Sequence, residues 1–115
     1  MLENGVTYSN QAIPYQADLE NELTAVFDPD IGIDIVNLGL IYEVSLDEQD
    51  NCLITMTYTS PQCNCHDIIA ADIHKALGHL DYVKDIVLDI VWDPAWDMSR
   101  ITRFGRMALG IAPKR

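Results

Sequence analysis

The segment Ser60-Pro61-Gln62-Cys63-Asn64-Cys65-His66-Asp67 places two thiols and an imidazole within four consecutive positions. A thiolate is both a nucleophile and a metal ligand, and neutral imidazole is a common metal ligand. A closed structural zinc site normally takes four ligands, often as two short-spaced pairs. Here a single C-x-C-H group stands without a second pair downstream, which leaves an incomplete, labile or intermolecular site. A second acidic group, Asp28, Asp30 and Asp34, offers carboxylates for iron ligation or proton handling. Its plain alternative is a solvated helix-ending turn, which Asp and Pro both favour. Cys52 reads as a small buried apolar group, and His74 and His79 as surface or helix-end histidines. No Ser-His-Asp order, phosphate-binding glycine loop or HExxH pattern is present, and no third residue orients a Cys/His pair. The chain is therefore expected not to be an enzyme.

The surrounding elements decide where these groups lie. Leu19, Leu23, Val26 and Phe27 recur at helical spacing behind Asp18, Glu20 and Glu22, so a first helix runs from Ala17 until Pro29 stops it. The stretch from Asp28 to Leu40 reads as an ordered loop. Leu40, Tyr42, Val44 and Leu46 alternate with Ile41, Glu43 and Ser45 as a strand, and Asp47–Asn51 is a hairpin connection. A second strand spans Cys52 to Thr59, with Cys52, Ile54, Met56 and Tyr58 on one face. Ile69, Ile73, Ala76, Leu77 and Leu80 mark a second helix ending near Gly78, and Val83 to Trp92 a third strand. Trp92–Asp97 is a turn, after which Ser99 is expected to cap a short helix carrying Arg100, Arg103 and Arg106.

The predicted order is therefore α-β-β-α-β-α: an α+β, two-layer domain with a small mixed three-stranded sheet and helices mainly on one face. The second and third strands should pair in parallel through a right-handed crossover. Residues 1–16 are expected to form a loose N-terminal arm, 17–112 a single domain and 113–115 a tail. The cysteines fall between a strand end and a helix N-terminus, where backbone N–H groups and the helix dipole favour a thiolate. Cys63 is the better placed to cap. Cys65 and His66 diverge by roughly 100° per residue in the first turn.

The chain of 115 residues carries 18 acidic and 7 basic side chains, a formal net charge of −11. That balance argues against sequence-independent binding to nucleic acid. It is uneven, since every acidic residue lies at or before Asp97 whereas Arg100, Arg103, Arg106, Lys114 and Arg115 follow it. A basic terminal segment could fold back on the acidic body or dock on an acidic partner, with Arg100, Arg103 and Arg106 as the contact; the plain alternative is a solvated surface. Apolar runs are too short to span a membrane, no secretory leader is apparent, and an odd cysteine count suits a reducing, cytoplasmic setting.

Several motifs in order carry a resemblance. Asp28-Pro29-Asp30-Ile31-Gly32-Ile33-Asp34-Ile35-Val36-Asn37-Leu38-Gly39-Leu40-Ile41-Tyr42, Thr57-Tyr58-Thr59-Ser60-Pro61-Gln62-Cys63, Val91-Trp92-Asp93-Pro94-Ala95-Trp96 and Leu109-Gly110-Ile111 together resemble the PaaD/SufT-like iron–sulfur assembly factors. The resemblance spans about residues 17–112. It implies an iron–sulfur-assembly-type domain that assists delivery of iron or a cluster to client apoproteins. Its motif cysteine carries over to Cys63 and its acidic positions to Asp28, Asp30 and Asp34, with Asp30 replacing the commoner Glu. This chain has Asn64-Cys65-His66 where the family usually follows its cysteine with Pro or a small residue, so Cys65 and His66 are either added ligands or a variable turn.

One thiolate cannot hold an iron–sulfur cluster, which generally takes four ligands. Iron or a cluster is thus expected to bind transiently rather than tightly, bridging a homodimer or borrowing ligands from a client or a small thiol, with the iron–sulfur assembly machinery and client apoproteins as partners. A metal-free, PaaD-like interaction adaptor and a thiol redox protein remain as alternatives at this level.

Overall fold

The structure, a computed structural model, describes residues 6–62 and 65–110. Four strands, β1 (Thr7–Asn10), β2 (Ile41–Leu46), β3 (Asn51–Met56) and β4 (Asp85–Ile90), form one sheet in chain order. The β1–β2 and β3–β4 pairs are parallel and β2–β3 is antiparallel. Four helices accompany them: α1 (Gln16–Leu23), α2 (Ile35–Leu38), α3 (His66–Gly78) and α4 (Arg103–Leu109). The α+β class, the central hairpin and the parallel β3–α3–β4 connection agree with expectation. None of the described helices is long and apolar enough to cross a membrane.

The sheet has four strands rather than three. The extra one lies in the segment expected to be a loose arm, where Thr7–Asn10 pairs in register with Glu43–Leu46. Four residues carry too little periodicity to announce a strand; the exposed edge of β2 supplies the backbone partners that hold them. A turn of 3-10 helix, Ile13–Tyr15, then leads into α1.

Ile69, Ile73 and Leu77 of α3, at four-residue spacing, and Leu19 and Leu23 of α1 are fully buried against Val44, Leu46, Cys52, Ile54 and Met56. Each such Leu or Ile contributes about 1.5–3 kcal/mol through burial. Alternation in β3 follows the sequence reading, but β2 does not, because its register shifts between Ile41 and Glu43. The bulge buries Ile41 and turns Tyr42 away from the Val44/Leu46 face. Tyr42 instead donates its hydroxyl to the Pro94 carbonyl (2.7 Å) and lies beneath the Arg100 guanidinium, 4.2 Å from the ring centre.

The predicted arginine helix is also divided. Met98–Arg100 is a separate 3-10 turn in which Asp97, not Ser99, caps, and Thr102 caps α4 through Gly105 N. Arg100 is consequently directed inward to the Gly39 carbonyl (2.8 Å), and Arg106 donates to the Met98 carbonyl (2.5 Å). Arg103 is exposed on α4. The three do not form one continuous helical stripe.

Candidate metal-handling site

The site begins with the turn after α1. Asp28 is completely buried, and its Oδ1 accepts the N–H groups of Asp30 (2.8 Å) and Ile31 (3.2 Å). Its backbone N–H donates to the Ile33 carbonyl, and its own carbonyl receives Gly32 N–H at 2.7 Å. Gly32 adopts φ +82°, a left-handed conformation that glycine enters without a Cβ penalty. These bonds hold Asp28 with Oδ1 engaged and Oδ2 directed across the fold, 3.9 Å from Cys65 Sγ.

Cys65 arrives from the other side. It occupies the N-cap position of α3, is almost fully buried, and its carbonyl receives the Ile69 N–H. Ligand atoms of Asp28, Asp30 and Cys65 all lie within 4.8 Å of one another. Donors about 2.0–2.4 Å from a common ion stand at most about 4–5 Å apart, so this spacing suits ligation. Two carboxylates with one sulfur form a mixed hard–soft donor set, compatible with first-row divalent ions such as iron or zinc. The Cys65 sulfur is disulfide-bonded in this structure, so ligation by it requires prior reduction. Once it is reduced and ionised, two buried negative groups 3.9 Å apart repel by about 4 kcal/mol at an effective dielectric near 20. A cation between them removes that cost.

The other expected site residues are placed differently. Cys63, the foremost candidate from sequence, lies outside the described residues. Asp34 caps α2: it accepts Asn37 N–H (2.9 Å) and the Asn37 side-chain amide (2.9 Å). It shapes the loop without joining the converging donors. His66 begins α3 but turns from them, its Nε2 lying 3.0 Å from the Ser60 carbonyl and its ring stacked 3.8 Å from Tyr58. Trp92 closes that aromatic group, 6.1 Å from His66. Cys65 is thus brought to the aspartates while its neighbour His66 serves packing, in keeping with the divergence of adjacent helical positions.

Sequence reasoning did not foresee how the loop is braced from behind, and it gave Arg100 the role of a partner contact instead. Trp96 Nε1 donates to the Leu38 carbonyl (2.7 Å), Arg100 Nε to that of Gly39, and Thr102 N–H to that of Asn37 (2.8 Å). Thr102 Oγ1 also donates to Asn37 Oδ1 at 2.6 Å. The available signal was the pair of tryptophans around Pro94, in a segment too polar for core and too aromatic for an ordinary turn.

A two-layer α+β domain with an acidic turn facing Cys65 at the start of α3 defines the class, and comparison with known proteins specifies it. Residues 16–94 match the family described as iron-sulfur cluster assembly protein, and the chain belongs to that family. It is 47% identical over 89 residues to the Fe-S protein maturation auxiliary factor YitW of Bacillus subtilis, covering 77% of this chain and 87% of that one. It is 38% identical to the Fe-S protein maturation auxiliary factor SufT of Staphylococcus aureus, covering 76% and 99%. Among solved structures it resembles a domain of unknown function, DUF59, from Bacillus anthracis. That match has a TM-score of 0.79 and 42% identity, covering 86% of this chain and 94% of the other.

Proposed function

We propose that this protein is an auxiliary factor in the maturation of iron–sulfur proteins that handles iron or a cluster in transit at the Asp28/Asp30/Cys65 site, with Cys63 as its reactive thiol. The observation that carries the reading is the approach of two carboxylates and a sulfur to within 4.8 Å, joining loops 37 residues apart in sequence. The family and the names of the relatives support it. Iron or a cluster is cargo in this reading, and release to a client is favoured because the donors fall short of the four that hold a cluster permanently. The missing ligands come from an assembly partner, the client apoprotein or a second copy of the chain. Asp30, exposed at the rim, is the donor most accessible to an incoming protein.

Anaerobic titration with ferrous iron after treatment with a phosphine reductant tests this. Wild type should bind, while Asp30→Asn and Cys65→Ser should each weaken binding at least about tenfold, the loss of one good ligand contact of roughly 1.4 kcal/mol or more. Cys63→Ser should abolish cluster reconstitution followed by visible absorption. Unchanged binding in all three variants would remove iron handling from this loop and favour a metal-free adaptor.

A further inference from the structure

The sheet has a second face, which the described helices do not cover. The registers place Ser9, Ser45, Leu53 and Val87 in one row across the four strands, with Thr7, Glu43, Thr55 and Asp89 in the next. Asn51 and Asp85 form a partial row on the opposite side. Leu53 and Val87 are direct partners and are 42% and 53% exposed. They stand at the centre of a parallel strand pair, an arrangement that proteins usually cover on both faces. A depression of about 480 Å³ opens between Ser45, Asn51, Leu53 and Val87.

Charge in these rows has one sign; the Arg100 guanidinium lies over Tyr42, which belongs to none of them. Glu43, Asp85 and Asp89 flank the apolar pair, and no Lys, Arg or His is among the described residues of these rows. Asp85 and Asp89 sit two residues either side of Val87, hence about 6.6 Å from its row along the strand. A helix about 10–12 Å across, lying along that row, would set its apolar stripe on Leu53 and Val87. Its two flanks would then meet Asp85 on one side and Asp89 with Glu43 on the other, within reach of Lys and Arg side chains that lie along apolar surface while keeping their charge outside.

We propose that the open sheet face of this protein docks a basic amphipathic helix of a partner protein, with Leu53 and Val87 as the apolar floor and Glu43, Asp85 and Asp89 as the charged rim. This surface is separate from the Asp28/Asp30/Cys65 site, so its fate is independent of the metal reading. The acidic rim sets partner selection and encounter rate, and the apolar pair sets residence.

The probe is a fluorescein-labelled helical peptide of about five turns, with a Leu/Ala stripe bordered on both sides by Arg and Lys, titrated into the full chain by anisotropy. Binding should weaken with added salt, and Asp85→Asn/Asp89→Asn should reduce affinity at least tenfold. Val87→Thr should reduce it about fivefold at unchanged net charge. Asp18→Asn/Asp81→Asn, which alters net charge by the same amount elsewhere, should change it less than twofold. Amide shifts on binding should centre on Leu53, Thr55 and Val87. Thermal melts of the variants should show cooperative unfolding with no loss of stability beyond a few degrees, because all the substituted side chains are exposed. Equal losses in the two aspartate pairs would reduce the effect to overall charge and overturn the proposal. So would shifts confined to the helical layer, no binding by wild type, or a self-association that occludes Leu53.

Discussion

At the scale of single residues, placement depends on a few backbone conformations that only one side chain tolerates. Gly39 is the sharpest case. Its φ is +84°, and a Cβ there would lie 2.4 Å from the Arg100 carbonyl oxygen. Gly39→Ala therefore meets both a left-handed conformation and a backbone clash. It should cost at least about 2 kcal/mol in urea denaturation and displace Arg100 from the Gly39 carbonyl. A stability loss under about 0.5 kcal/mol would show that the Arg100 segment moves aside freely. Asp28 and Asp34 illustrate how similar sequence signals divide. Both were legible as candidate carboxylates, yet one leaves an oxygen for Cys65 and the other gives its carboxylate to Asn37. Spacing alone does not separate them, because that division depends on the hydrogen bonds each aspartate makes once the loop has closed.

At the scale of elements, α1 and α3 lie side by side, and His79 Nε2 of the α3 C-cap meets Glu22 Oε1 at 3.0 Å. The hydrogen bond and charge of Glu22 raise the His79 pKa above its ordinary value. A raised folded pKa adds stability that is fully present below the unfolded pKa and lost as pH rises through the folded one. His79→Gln should therefore lower the melting temperature at about pH 5.5 and leave it nearly unchanged at about pH 8.5. A loss that is the same at both would assign the role to packing. The long periodic elements were legible because one buried stripe determines each of them. The β1 strand and the bulge at Tyr42 were not, since both are chosen by pairing across the sheet. The division of the arginine helix was missed for a related reason. Thr102 makes a capping bond to Gly105 and a second bond to Asn37, far away in sequence, and the latter draws the chain out of helix.

At the scale of the whole molecule, the formal charge of −11 is a constant internal repulsion. Salt at about 150 mM, with a Debye length near 8 Å, screens it. The melting temperature should therefore rise between about 10 and 150 mM sodium chloride, followed by circular dichroism. A fall would mean that local ion pairs such as His79–Glu22 outweigh the net repulsion. The fold class and the two loops of the candidate site were legible in the chain. The open acidic face was not, because it exists only once the registers align Leu53 with Val87.

The braces from Trp96, Arg100 and Thr102 to the carbonyls of Leu38, Gly39 and Asn37 also impose an order in time. All three come from residues beyond the family match at 16–94. During synthesis, the acidic turn, both strands of the hairpin and the cysteine loop leave the ribosome well before these braces do. The carbonyls of Leu38, Gly39 and Asn37 gain these partners only as residues 96, 100 and 102 emerge in turn. A chain stalled earlier carries Asp28, Asp30 and Cys65 without the backing that fixes the loop behind them.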